Sequence, residues 1–142
     1  TGSGGYTNST TPSIWPSKGV ITSPYGTRVD PVTGAVSAFH EGVDIADDYG
    51  TPIVATAAGT VTFAGYTEGG YGNLVEIDHG NGFVTRYGHN SAVLVTPGMT
   101  VKQGQVIALM GSTGKSTGAH VHYEVRINGS AVDPMVFLPI SN

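Results

Sequence analysis

At 142 residues the chain has the length of one domain, and six Lys plus Arg against ten Asp plus Glu leave it a formal charge of −4. That balance excludes a nucleic-acid surface, which needs a basic patch, and no apolar run approaches the ~20 residues of a membrane-spanning helix. Without cysteine the fold owes nothing to disulfides, and any zinc site must be built from His and carboxylates.

Residues 1–13 are Gly, Ser, Thr and Asn with one Tyr and one Pro, a composition that buries no core and reads as a flexible N-terminal tail or linker. Thr1-Gly2-Ser3-Gly4-Gly5 has none of the character of a targeting segment. Residues 14–142 form the single folded domain, with Trp15 expected as an aromatic plug on its core. Asn8-Ser9-Thr10 and Asn128-Gly129-Ser130 match the glycosylation triplet, which is too short to carry weight.

Residues 21–28 read as a short strand ended by glycine, and Asp30-Pro31-Val32-Thr33-Gly34 as a turn-rich loop. Val43 and Ile45 alternate with Asp44, the pattern of a strand with one polar face. Further strands are expected at 52–55, 59–64, 74–78, 83–89, 106–110 and 120–127, and Ser91–Val95 forms at most one helical turn. Asn81-Gly82 and Asn128-Gly129 are hairpin signals, because such turns need positive φ. His79 falls in a glycine-flanked turn and is expected to expose its ring. The sum is an all-β domain, mainly antiparallel, with one core.

Gly114-Lys115-Ser116 looks like the end of a phosphate-binding loop. The first glycine of that motif would fall at Leu109, and no long helical pattern follows, so nucleotide binding is excluded. Those glycines serve better to carry a loop close to the strand that follows.

That strand holds His120 and His122, which alternation puts on one face, with Val121 and Tyr123 on the other. Two imidazoles side by side on a rigid strand suit zinc, although two histidines on a solvated sheet face would give the same spacing. The five histidines are His40, His79, His89, His120 and His122. His40 and Asp44 lie four residues apart across Gly42, so both can face one cleft. Together with His122 they make a two-His, one-carboxylate set that leaves a position open for water, the arrangement of a catalytic zinc. Spacing alone does not decide which of His40, His89, His120 and His122 bind metal.

His40-Glu41-Gly42-Val43-Asp44, Tyr87-Gly88-His89 and His120-Val121-His122-Tyr123-Glu124-Val125 resemble the three signature motifs of the lysostaphin-like M23 zinc metallopeptidases. Residues 23–28, 50–55, 101–107 and 111–114 agree with the same family, so the likeness runs from about Trp15 to Leu138. The resemblance implies a lysostaphin-like sheet of the duplicated hybrid type, with long loops forming an active-site groove. It implies one Zn2+ per chain held by His40, Asp44 and His122, with His89 and His120 as catalytic histidines that activate water or stabilise the tetrahedral intermediate. It further implies an extracytoplasmic, monomeric endopeptidase that hydrolyses cross-bridge or stem peptides of bacterial peptidoglycan. A relative reduced to a binding scaffold is expected to lose ligands, and all five positions are present here. Asn90 stands where the family commonly has Leu, and Val121 and Tyr123 stand where Leu and Phe are usual.

Overall fold

Val121, Tyr123 and Val125 are fully buried while His120, His122 and Arg126 on the opposite face are only partly so, and one strand separates core from site. The computed structural model describes residues 10–23, 25–26, 41–68, 70–80, 82–113 and 118–138. His40, residues 1–9, the expected loop at Asp30–Gly34, Asn81 and the segment 114–117 lie outside these.

In chain order the strands are β1 (Val20–Ser23), β2 (Val43–Ala46), β3 (Pro52–Val54), β4 (Gly59–Thr67), β5 (Gly72–Gly80), β6 (Phe83–Val93), β7 (Thr100–Val101), β8 (Val106–Met110), β9 (His120–Ile127) and β10 (Ser130–Val132). One 3-10 turn follows at Pro134–Val136, opened by the Asp133 carboxylate accepting from Met135 N–H. The fold is all-β and antiparallel, as expected, and no helix among the described residues is long and apolar enough to cross a membrane. The strands follow one another across the sheet as β1-β2-β9-β6-β5-β4-β7, with β10 beside β9 and the β3–β8 pair attached to β6. Asn128 and Gly129 have φ of 51° and 88°, which makes the β9–β10 connection the hairpin that the Asn-Gly pair promises.

Val43, Ile45, Ile53, Val61, Val75, Ile77, Ile107, Val121 and Val125 are at most 1% exposed and form one cluster, with Trp15 packed against it. Each such aliphatic side chain contributes about 1.5–3 kcal/mol of burial. β9 and β2 therefore stay anchored through their apolar faces while their opposite faces remain available for chemistry.

Two local expectations are corrected. Ser91 to Val93 continue β6 rather than turning into a helix, because β8 supplies a partner ladder at Ala92 and Val93. His79 is not exposed: it ends in β5 at 4% exposure, with Nδ1 2.8 Å from Ala58 O and Nε2 2.7 Å from Thr85 Oγ1. The strand runs two residues past the point where the glycine suggests a turn. Thr11 O and Ser13 Oγ each accept from Gln103 Nε2 at 3.2 Å, which ties that part of the chain to the domain.

Candidate active site

Three strands lie abreast at the site. Asp44 of β2 and Gly88 of β6 both stand opposite His122 of β9, and Ala46 stands opposite His120. Strand parity then puts Asp44, His120, His122, Glu124 and Arg126 on the same side of the sheet. Gly42 permits this close entry of β2, since a Cβ there would lie 2.3 Å from Tyr123 O.

His89 arrives differently. Its φ is 65°, a left-handed conformation that is uncommon without glycine and stores strain. Local hydrogen bonds hold it there. Its N–H donates to Tyr71 O at 2.6 Å, and its Nδ1–H donates to Thr113 O at 2.6 Å. The next residue, Asn90, is fully buried and donates from Nδ2 to Tyr87 O and Asn73 O, at 2.9 and 3.0 Å. In return its carbonyl accepts from Asn73 Nδ2 at 2.9 Å and from Thr113 Oγ1 at 2.8 Å. Asn90, in place of the family's usual Leu, therefore clamps the backbone on which the histidine turns. Burial, helped by the neighbouring His120 and His122 rings, lowers the pKa of His89 against the opposing pull of Thr113 O and Asp44. The neutral ring, protonated on Nδ1, offers Nε2 as its basic nitrogen.

The His89 ring lies 4.6 Å from that of His120 and 6.1 Å from that of His122, centroid to centroid. His120 turns Nδ1 toward Gly118 O at 2.9 Å, and its Nε2 stands 3.8 Å from Asp44 Oδ1. His122 sits between two carboxylates, with Nδ1 2.8 Å from Asp44 Oδ1 and Nε2 2.8 Å from Glu124 Oε2. Burial by itself disfavours charge on this ring. The hydrogen bonds to Asp44 and Glu124 outweigh it and raise its pKa to about 9.

Glu124 is 2% exposed, and burial alone would raise its pKa. Hydrogen bonds from His122, from the Tyr71 hydroxyl at 2.6 Å and from Arg126 Nε at 2.9 Å hold it down at about 2. Arg86 Nη1 reaches the same Tyr71 hydroxyl at 3.3 Å, and Arg126 also pairs with Glu41.

The structure thus brings Asp44, His89, His120 and His122 together. His40 falls outside the described residues, and among the described residues no three His, Asp or Glu side chains form a set that could hold a metal ion. The donor chemistry nonetheless fits a borderline divalent ion such as zinc: an imidazole nitrogen and a carboxylate oxygen converge, and the other imidazole nitrogen is turned away to a carboxylate. Sequence reasoning assigned no role to Glu124, Arg126, Tyr71, Asn73 or Thr113. Parity on β9 was enough to find Glu124 and Arg126. The other three come from loops and neighbouring strands, with no local signal.

Residues 38–134 match the sequence model of Peptidase family M23. The chain is 49% identical over 120 residues to the DD-carboxypeptidase/endopeptidase Mpg of Neisseria meningitidis, covering 84% of this chain and 27% of that protein. It is 40% identical over 125 residues to the murein hydrolase activator NlpD of Escherichia coli, covering 88% of this chain and 31% of that protein. Among solved structures, a zinc-containing peptidase from Vibrio cholerae superposes with a TM-score of 0.77 at 36% identity, covering 92% of this chain and 39% of that one. The chain spans about a quarter to a third of the curated relatives it matches here.

Proposed function

The chain belongs to peptidase family M23, and from that premise we propose that it is a zinc-dependent endopeptidase that hydrolyses peptide bonds in the cross-bridges or stem peptides of bacterial peptidoglycan. One observation carries the reading: Asp44, His89, His120 and His122 converge on one side of the sheet, with His122 Nδ1 and Asp44 Oδ1 2.8 Å apart. Relatives support the substrate class, since both a DD-carboxypeptidase/endopeptidase and a murein hydrolase activator are similar to this chain. Action outside the cytoplasm follows from that substrate.

In this reading His40, Asp44 and His122 hold one zinc ion per chain. Bound zinc supplies Lewis-acid polarisation of the scissile carbonyl and brings the pKa of the attacking water toward about 7. The remaining work falls to side chains. His89, kept neutral by burial and with Nδ1 committed to Thr113 O, accepts a proton at Nε2. His120, its Nδ1 committed to Gly118 O, lines the same space and shares proton transfer and stabilisation of the oxyanion. The Asp44 carboxylate faces both rings, with Oδ1 3.8 Å from His120 Nε2 and 2.8 Å from His122 Nδ1.

The test is peptidoglycan digestion: the protein should release fragments with new amino ends. New reducing sugar ends instead would make it a glycosidase. Similarity to the activator favours a second reading, in which the domain stimulates other hydrolases. That reading expects no new ends from the purified protein alone and more from a second hydrolase mixed with it. Presence of all the mechanistic side chains weighs for catalysis.

A further inference from the structure

Glu124 spends a buried charge, and its two oxygens divide their partners. Oε2 faces His122 Nε2 at 2.8 Å and the Tyr71 hydroxyl at 2.6 Å. Oε1 faces Arg126 Nε and Nη2 at 2.9 and 2.8 Å, with Arg86 Nη1 3.9 Å away. Tyr71 and Arg126 donate to it, and the Arg86 guanidinium lies nearby. An ionised carboxylate only accepts, so the nitrogen that His122 turns toward it must carry hydrogen. We propose that Glu124 is a positioning residue: by facing Nε2 it holds a ring proton there, so that Nδ1, the nitrogen beside Asp44 Oδ1, is the one that gives up its hydrogen to a divalent metal. The inference rests on the reading of His122 as a ligand.

A carboxylate that served only to neutralise Arg126 would not need to turn an oxygen to the imidazole. The proposal therefore makes a specific demand on Glu124→Gln, which keeps the shape but has one accepting and one donating end. With the amide oxygen toward His122, its NH2 would meet the Arg126 donors head-on. Flipped, the amide oxygen accepts from Arg126, Tyr71 turns its hydroxyl to accept, and the NH2 points at His122 Nε2. That nitrogen must then be unprotonated, so the proton moves to Nδ1 and blocks it. Removing the guanidinium donors as well, in Glu124→Gln/Arg126→Met, lets the amide oxygen turn back to His122.

The experiment measures zinc dissociation constants by competition with a chromophoric chelator, alongside ring 1H–15N correlation spectra of the zinc-loaded protein. Glu124→Gln should weaken zinc binding by ~10–100-fold, and the double variant should recover most of the loss. The zinc-loaded parent should show the His122 proton on Nε2. Glu124→Gln binding zinc as the parent does, or a double variant no better than the single one, would overturn the proposal. So would a parent spectrum with the proton on Nδ1, a reading that holds even if the variants fail to fold. His122→Ala separates the two levels: unchanged zinc affinity there sinks the ligand assignment, whereas weakened affinity with a normal Glu124→Gln sinks only the role of Glu124.

Discussion

His122 and His79 both have both ring nitrogens engaged, yet their surroundings push them in opposite directions. His122 lies between the carboxylates of Asp44 and Glu124, and those partners raise its pKa to about 9 in spite of burial. His79 lies between a carbonyl, Ala58 O, and a hydroxyl, Thr85 Oγ1, and burial lowers its pKa over the weaker pull of Ala58 and Asp78. One ring is set between two carboxylates, the surroundings of a metal ligand in the proposed reading. The other is a neutral connector at the end of a polar chain through the core, in which Thr85 Oγ1 meets Tyr87 OH at 2.7 Å and Thr56 Oγ1 meets Tyr87 OH and Tyr123 OH at 3.0 and 2.7 Å. The residue type is the same; the neighbours decide between reactivity and structure.

The comparison breaks most visibly at the metal. Asp44→Asn and His122→Ala should reduce release of amino ends from peptidoglycan to that of protein stripped by a chelator, with zinc content measured in parallel. Added zinc should restore the stripped parent but not the variants. His79→Leu should behave as the parent in the same assay, and a loss there would erase the contrast. Next in size, His120→Ala should retain zinc and lose about 10²-fold in turnover, as expected for a group in proton transfer. Smaller again is the structural cost at the other histidine. His79→Leu leaves Ala58 O and Thr85 Oγ1 short of a partner and should lower unfolding stability by about 1–3 kcal/mol in denaturant titrations.

The smallest effect is a pH dependence. The pKa of His79 is lower in the folded protein than its ordinary 6.5, so the unfolded chain takes up the proton first. The stability owed to the neutral ring is complete above about 6.5 and declines as pH falls from there toward the folded pKa. Metal-free His79→Leu should show a flatter stability profile across that window. A profile as steep as the parent's would remove His79 as its source.

Much of the site was legible because its pattern is local. The two-residue period of β9 separates His120, His122 and Glu124 from Val121, Tyr123 and Val125 without any knowledge of the fold. Val43 and Ile45 flanking Asp44 work the same way. The Asn128-Gly129 hairpin was readable from its φ requirement. His79 misled because a glycine next to it looked like a turn, whereas pairing with β6 carried the strand on to Gly80. Asn90 stands where Leu is common, and its hydrogen bonds across to Asn73 could not be foreseen from its neighbours in the chain.

The sequence alone determined which side chains were available, how they alternate on each strand and, through three motifs in order, which family they resemble. Tertiary structure decided what each one touches. Asp44 and His122 are 78 residues apart and meet only because β2 pairs with β9 in one register. His89 enters the site through a left-handed backbone that Tyr71, Thr113 and the Asn73–Asn90 pair hold in place. Alternation is a property of adjacent peptide units, whereas register, burial and the charge beside an imidazole depend on which distant strand arrives next to it.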